Sequence, residues 1–180
     1  VPTGNFGNVF AGYGARQMGL DIEQLIIGSN SNDILTRFFE SGRMQTGEVH
    51  STISPSMDIQ ISSNFERLLF DMCDRDGDAV RSVMNTFGET GSFALGPSQM
   101  QSIQQLIAAA RFDDDETRKV IDDAYRQTGQ LLDPHSAIGL AAGRARRNNM
   151  QTPLISLATA HPAKFPDAVE AASGIRPELP

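Results

Sequence analysis

The chain has 180 residues, of which 39% are hydrophobic and 21% are charged, and it carries a formal net charge of −7 at pH 7. This composition is ordinary for a soluble globular protein, and the acidic balance argues against a binding surface for nucleic acid or an anionic membrane. The expected partners are small molecules or other copies of the chain. The single cysteine, Cys73, has no partner for an internal disulfide, and no apolar run approaches the roughly 20 residues needed to cross a bilayer, so we expect a cytoplasmic protein.

The chain begins with the segment VPTGNFGN, residues 1–8, which we call the opening loop and which leads into an apolar helical pattern from Val9. Gly4 and Gly7 let a ligand approach the backbone closely, and the following helix directs unpaired N–H groups back towards the loop. Such a loop suits a phosphate. A plain turn before a helix explains the glycines equally well, because the segment is neither G-x-G-x-x-G nor a P-loop with its lysine. In a βα unit such a loop follows a strand, so we expect this chain to be a piece of a longer protein.

The segments after the opening loop predict half of a βαβ unit. The helix from Val9 ends near Gly19, and the apolar run at 25–28 is typical of a buried parallel strand. Capping residues at 31–33 predict a second helix, and the residues that follow it, 43–56, are predicted to form a loop.

The middle of the chain is predicted to be mainly helical. Apolar residues three and four apart predict an amphipathic helix over 59–73. The acidic run at 74–78 is predicted to be a capped turn, because it lacks the later glutamate of an EF-hand calcium loop. Helices are also predicted over 78–87 and 97–111, with a short strand at 92–95 between them.

The last third of the chain returns to alternating strands and helices. Acidic residues from Asp113 open one helix, and Asp133 with Pro134 forms an N-cap and first-turn pair for another. The small apolar residues of that second helix suit close packing against a sheet. A buried strand is predicted at 154–159, and a final helix follows His161.

These elements predict an α/β fold, namely part of an open, mostly parallel sheet flanked by helices, with a helical insertion in the middle. We divide the chain into three parts on this basis. Residues 1–61 form the first part of a cofactor-binding α/β domain, residues 62–128 form a helical insertion or subdomain, and residues 129–180 return to the α/β domain and end in the C-terminal helix.

Two features lie where predicted parallel strands end, the opening loop and Thr159. Ligands of open α/β sheets collect at the carboxyl ends of strands, so the two features are predicted to share one ligand. The alternative is that Thr159 only caps the next helix. The histidines His50, His135 and His161 lack metal-ligand spacing, so no metal site is predicted. His161 is the best candidate for a catalytic histidine, with a purely local hydrogen bond as the alternative.

Five motifs follow one another along nearly the whole chain: PTGNFGN, LIIGSNSNDILTRFFESG, SPSMDIQISSNFERLLFD, LLDPHSAIGLAAG and SLATAHPAKFP. Together they resemble threonine synthases of the bacterial and fungal type, which are pyridoxal 5'-phosphate (PLP) enzymes of fold type II. The helical middle is similar to that of the longer bacterial and fungal class.

The resemblance implies a cofactor, a reaction and a set of binding residues. The reaction is the conversion of O-phospho-L-homoserine and water into L-threonine and phosphate, with PLP as the cofactor. A threonine hydroxyl, matched here by Thr159, would face the pyridine nitrogen. The residues that would hold the cofactor phosphate are Gly4, Asn5, Phe6, Gly7 and Asn8.

The resemblance also implies that the Schiff-base lysine belongs to an N-terminal part that precedes this chain, which contains only Lys119 and Lys164. No catalytic residue is therefore assigned, and the fragment alone is predicted to be inactive without that part. Candidates for holding the substrate phosphate are Ser54, Ser56 and Asn64. Two alternatives remain open: another PLP enzyme of the same fold type that catalyses elimination or replacement, and a non-catalytic phosphate-binding module.

Overall fold

The computed structural model describes residues 1–180 and has the predicted α/β fold class. Two short 3₁₀ turns lie at Pro55–Met57 and Pro162–Lys164. The four strands are β1 (Leu25–Ser29), β2 (Arg43–Gln45), β3 (Ser92–Ala94) and β4 (Ile107–Arg111). The eight helices are α1 (Gly7–Gln17), α2 (Ile34–Ser41), α3 (Phe65–Met72), α4 (Gly77–Thr90), α5 (Pro97–Leu106), α6 (Asp114–Thr128), α7 (Pro134–Arg146) and α8 (Pro166–Ser173). None of these helices combines the length and the apolar character that a membrane span requires.

The parallel sheet is built from β1, β4 and the first residues of the chain. Strand β1 pairs in parallel with β4, with Leu25 opposite Ile107. On the other side of β1, Pro2 forms a parallel bridge with Gly28, and the Thr3 N–H donates to the Gly28 carbonyl at 3.1 Å. The opening loop therefore leaves the sheet at the same edge as the carboxyl ends of β1 and β4.

The prediction of one helix over 97–111 is wrong, because the helix ends at Leu106 and β4 begins at the next residue. The sequence of β4 is IAAAR, and alanine favours helices when nothing else acts on the chain. Pairing with β1 and burial of Ala109 and Ala110 outweigh this preference.

Helix α7 packs on the sheet through glycines. A Cβ atom at Gly28 would lie 2.8 Å from the carbonyl oxygen of Ile138, and one at Gly139 would lie 2.6 Å from Cδ of Pro2. Both contacts are too short for any side chain, so the helix and the strands approach as closely as their backbones allow. The prediction that small residues bring this helix close to a sheet is confirmed.

An aromatic core fills the space between α1, α2 and α3. Phe6 and Phe38 are completely buried, and the Phe38 and Phe65 rings meet edge to face with their centroids 4.8 Å apart. Phe93 of β3 and Ile103 of α5 belong to the same cluster. Residues on both sides of the predicted boundary at 61/62 thus share one core, and the three-part division stays a prediction.

The predicted helix over 59–73 begins only at Phe65. The preceding residues hold the opening loop instead, because the Ser62 hydroxyl donates to the Gly4 carbonyl at 2.7 Å and the Asn64 N–H donates to the Asn5 carbonyl at 3.1 Å. Because Ser62 and Asn64 bind the opening loop in this way, the helix begins only after them.

The predicted strand at 154–159 is not formed. This stretch carries no backbone pairing from 153 to 158, and Leu154 contacts α7 near Gly143 while Ile155 is 79% exposed. Its alternating exposure resembles that of a strand, but no strand of the chain lies beside it. We call residues 153–160 the C-terminal wall, because they border the cavity described next.

Candidate functional site

A cavity of about 290 Å³ lies where the opening loop leaves the sheet. Four of the predicted loop residues line it, namely Gly4, Asn5, Gly7 and Asn8, and Thr159 lines it from the C-terminal wall. The structure thus brings these separated segments to one place, although Thr159 does not end a strand as the prediction assumed. Phe6 does not line the cavity.

Phe6 anchors the opening loop in the core. Its side chain has no exposed surface, and its backbone adopts the left-handed conformation with φ of 65°. Its N–H donates to the Thr3 hydroxyl at 2.9 Å. The cost of a left-handed residue other than glycine, about 1–2 kcal/mol, is smaller than what full burial of a phenylalanine contributes.

The anchored loop presents free hydrogen-bond donors. The backbone N–H groups of Gly4, Asn5, Gly7 and Asn8 donate no hydrogen bond within the chain. Gly7 and Asn8 also begin α1, so their N–H groups lie at the positive end of the helix dipole. This arrangement suits an anion.

Gly4 lies in tight surroundings. A Cβ atom there would lie 3.0 Å from the Ser56 carbonyl oxygen and 3.1 Å from Cα of Met57. At Gly7 the nearest atom would be the Asn64 amide nitrogen at 3.5 Å, which is an ordinary contact. Of the two predicted glycines, Gly4 therefore carries the steric restriction.

The cavity has one cationic side chain and no carboxylate among its lining residues. The cation is Lys164, which lies in the 3₁₀ turn after the C-terminal wall. Lys119 lies on α6 and is not part of the lining. The charge of the cavity therefore matches its free N–H donors and favours an anionic ligand.

The loop that carries Ser56 and Met57 is held by polar groups at the end of β1. The Asn30 side-chain amide lies 2.7 Å from Oδ1 of Asp58 and 2.8 Å from the Thr52 hydroxyl. Asn30 is almost fully buried, so these contacts replace the water that its amide would bind in the unfolded chain. They set the distance between this loop and the sheet.

The N-terminus of α7 adds a buried polar cluster behind the cavity. Asp133 is the predicted N-cap and is completely buried, and its carboxylate accepts from the His135 N–H at 2.9 Å and from the Ser136 hydroxyl. Burial alone would raise the pKa of Asp133, but the hydrogen bonds from His135 and Ser136 outweigh it and lower the pKa. The carboxylate is therefore ionised at neutral pH.

Several lining residues were not predicted as site residues: Thr3, Met57, His135, Lys164 and Phe165. The spacing of the histidines bears on His135 only as a metal ligand, and the resemblance places the lysine that attaches the cofactor upstream of Lys164. The DPHS sequence at 133–136 contains polar residues that could indicate a site, but a helix cap accounts for it fully.

The remaining candidates are placed as follows. Ser56 lines the cavity, whereas Ser54 is fully buried and the Asn64 side chain donates to the Asn5 carbonyl at 2.9 Å. His161 accepts a hydrogen bond from the Ala163 N–H at 3.2 Å, which matches the local role named as its alternative.

Comparisons with known proteins point to a single family. Residues 136–180 match the family model described as the C-terminal part of threonine synthase. Over its whole length the chain is 47% identical to the threonine synthase of Pseudomonas aeruginosa, of which it covers 39%.

Solved structures agree with this match. A PLP-bound threonine synthase from Brucella melitensis is 52% identical, with a TM-score of 0.97 over 99% of this chain and 38% of that one. The yeast threonine synthase is 40% identical, with a TM-score of 0.90 over 95% of this chain and 37% of that one. The chain thus spans about two fifths of the length of the relatives that it matches.

Proposed function

We propose that this chain, which is related over its whole length to the threonine synthases and matches their C-terminal part, supplies one side of the PLP site in such an enzyme. The enzyme would convert O-phospho-L-homoserine and water into L-threonine and phosphate. The observation that carries the proposal is the opening loop with its free N–H donors beside Lys164.

The residues around the cavity fit the phosphate of PLP. The free N–H groups of Gly4, Asn5, Gly7 and Asn8 indicate a ligand with several acceptor oxygens. No carboxylate lines the cavity, so no negatively charged side chain there would repel a phosphate. The close approach of the 56–57 backbone to Gly4 means that a side chain there would push against that backbone where the loop turns. We assign Gly4, Asn5, Gly7 and Asn8 to the phosphate, and Phe6 to holding that loop in place.

We assign Thr159 to the ring nitrogen of PLP. When bound, PLP supplies the electron sink that stabilises negative charge developing on substrate carbon. The hydroxyl of Thr159 offers the ring nitrogen a neutral hydrogen bond, whereas a carboxylate would hold that nitrogen protonated. Thr159 lines the same cavity as the opening loop, which supports this assignment.

No residue of this chain is assigned to the chemical step. We place the lysine that attaches the cofactor in the N-terminal part of the longer enzyme, as the resemblance implies. That part is therefore the required partner of this chain, and we expect the chain alone to be inactive. The compartment we propose is the cytoplasm.

The test uses the full-length enzyme carrying this chain. It should retain PLP through purification, which visible absorbance measures, and release phosphate and threonine from O-phospho-L-homoserine. The Gly4→Val variant should lose PLP at least about tenfold more readily, because the side chain would displace the loop or residues 56–57. Gly14→Ala is the matched control, since a Cβ atom at Gly14 has nothing within 4 Å.

Three results would contradict parts of the proposal. Turnover of O-acetylserine without turnover of O-phospho-L-homoserine would favour another PLP enzyme of the same fold type. Tight binding of a nucleotide without PLP retention would favour a non-catalytic phosphate-binding module. Equal PLP retention by Gly4→Val and the unmodified enzyme would remove the opening loop from the phosphate site.

A further inference from the structure

Asp133 makes more hydrogen bonds than a helix cap needs. An N-cap carboxylate serves its helix by accepting from backbone N–H groups of the first turn, and Asp133 does so with those of His135 and Ser136. It also accepts from two side chains, His135 through Nδ1 at 3.0 Å and Ser136 through its hydroxyl. Each of these side chains continues to a different part of the cavity.

The first connection runs through His135 to Ser56. The Nε2 atom of His135 accepts a hydrogen bond from the Ser56 backbone N–H at 3.3 Å, so Nε2 carries no proton. The ring proton is therefore on Nδ1, where it is donated to Oδ1 of Asp133. The ring also lies against Phe165, with the centroids 4.8 Å apart, so its plane is fixed from a third side.

The second connection runs through Ser136 to Thr159. The Ser136 hydroxyl donates to Oδ2 of Asp133, which leaves its oxygen free to accept from the Thr159 backbone N–H at 3.2 Å. This is the hydrogen bond that ties the backbone at Thr159 to the rest of the fold, since residues 153–158 have no backbone pairing.

We propose that Asp133 is a positioning residue: through His135 and Ser136 it sets the places of Ser56 and Thr159 on two sides of the cavity. An ionised carboxylate accepts on both oxygens without donating, as the two side-chain donors require. An asparagine keeps the size of the side chain but has only one acceptor oxygen, so its NH₂ group would face either His135 or Ser136 and would disturb one connection or the other. Where this inference concerns PLP, it rests on the proposed function.

The first test measures amide hydrogen exchange in the full-length enzyme, with and without added PLP. Ser136→Ala should raise the exchange rate of the Thr159 amide at least about tenfold and leave that of Ser56 unchanged, because one hydrogen bond is lost. Ser136→Thr should restore the slow rate, since it keeps the hydroxyl. Ser156→Ala is the matched control, because Ser156 lies on the C-terminal wall and its side chain makes no hydrogen bond in the chain. Equal Thr159 exchange in Ser136→Ala and the unmodified enzyme would overturn the second connection.

The second test uses Asp133→Asn and the ring ¹⁵N signals of His135. The unmodified enzyme should show a neutral imidazole with its proton on Nδ1. The variant should show a mixture of tautomers and faster exchange at both Ser56 and Thr159. An unchanged tautomer together with unchanged exchange at both amides would overturn the proposal for Asp133. Ser136→Ala keeps the proposal falsifiable if Asp133→Asn does not fold.

The third readout is PLP affinity, measured by absorbance titration of the cofactor-free enzyme. We expect Ser136→Ala to weaken PLP binding about fivefold, since Thr159 would no longer be held at the cavity. Faster Thr159 exchange with unchanged affinity would show that the wall moves without consequence for PLP and would overturn that part of the inference. An enzyme that never binds PLP would refute the proposed function, whereas the exchange and ¹⁵N results would still decide the role of Asp133.

Discussion

The two sides of the cavity are held by different kinds of interaction. The opening loop is fixed by apolar packing of Phe6 and by backbone pairing of Pro2 with Gly28. The C-terminal wall leaves Ile155 largely exposed and joins the fold at Thr159 through one hydrogen bond to Ser136. Core packing is worth several kcal/mol per large side chain, and one neutral hydrogen bond is worth about 1 kcal/mol. The side of the cavity formed by the opening loop should therefore be rigid, and the side formed by the C-terminal wall should be adjustable.

The largest expected effect comes from removing the anchor of the opening loop. Phe6→Ala should lower the free energy of unfolding by about 3–5 kcal/mol, because it leaves a cavity among Phe38, Phe39 and Phe65 and keeps a left-handed residue in the loop. Urea denaturation of the full-length enzyme measures this. Phe70→Ala is the control, since Phe70 is 39% exposed and should cost much less. Similar losses in both variants would mean that the loop is not fixed by its core contact.

The next effect separates the two glycines of the opening loop. Gly4→Ala should cost about 1–3 kcal/mol of stability, because the added methyl group meets the backbone at Ser56 and Met57. Gly7→Ala should change stability by less than about 0.5 kcal/mol, since the nearest atom is a side-chain amide at an ordinary distance. Thermal unfolding of the two variants measures the difference. Equal losses would contradict the close approach of the 56–57 backbone to Gly4.

On the other side of the cavity, stability should depend on acid through Asp133. Hydrogen bonds lower its pKa in the folded protein below the ordinary value of 3.8, despite the opposing effect of burial. Its ionised form therefore stabilises the fold fully at pH values above 3.8, and that contribution is lost as pH falls through the folded pKa. Urea denaturation at a series of acidic pH values should show a smaller loss below pH 4 in Asp133→Asn than in the unmodified enzyme. A loss of equal size would show that Asp133 does not control the acid response.

The same contrast explains what the sequence could predict. The helix after the opening loop and the apolar run at 25–28 have strong local signals, and the structure places both as expected. Strand β4 was missed because its alanines favour a helix locally and only the pairing with β1 makes them a strand. The role of Phe6 could not be read from the motif, because a binding residue and an anchor have the same local sequence.

The C-terminal wall illustrates a second limit of sequence patterns. Its short, mostly apolar run from Leu154 predicts a buried strand, but pairing needs a neighbour that the pattern does not identify. The connections from Asp133 to Ser56 and Thr159 were also missed, because they join residues 77 and 26 positions apart. The Asp-Pro-His-Ser sequence gave the cap correctly and gave no sign of what His135 and Ser136 contact.

The smallest expected effect on stability is at Thr159 itself, and it is the clearest test of the side of the cavity formed by the C-terminal wall. Thr159→Val keeps the branched shape and removes only an exposed hydroxyl that makes no hydrogen bond within the chain, so the free energy of unfolding should change by less than about 0.5 kcal/mol. PLP affinity should nevertheless fall about threefold to fivefold, because the ring nitrogen would lose its hydrogen bond. Thr159→Ser keeps the hydroxyl and should bind PLP as the unmodified enzyme does. Unchanged PLP affinity in Thr159→Val would mean that the hydroxyl does not contact the ring. A loss of more than about 1 kcal/mol in the free energy of unfolding of the cofactor-free variant would mean that the side chain has a structural role that its exposure does not indicate.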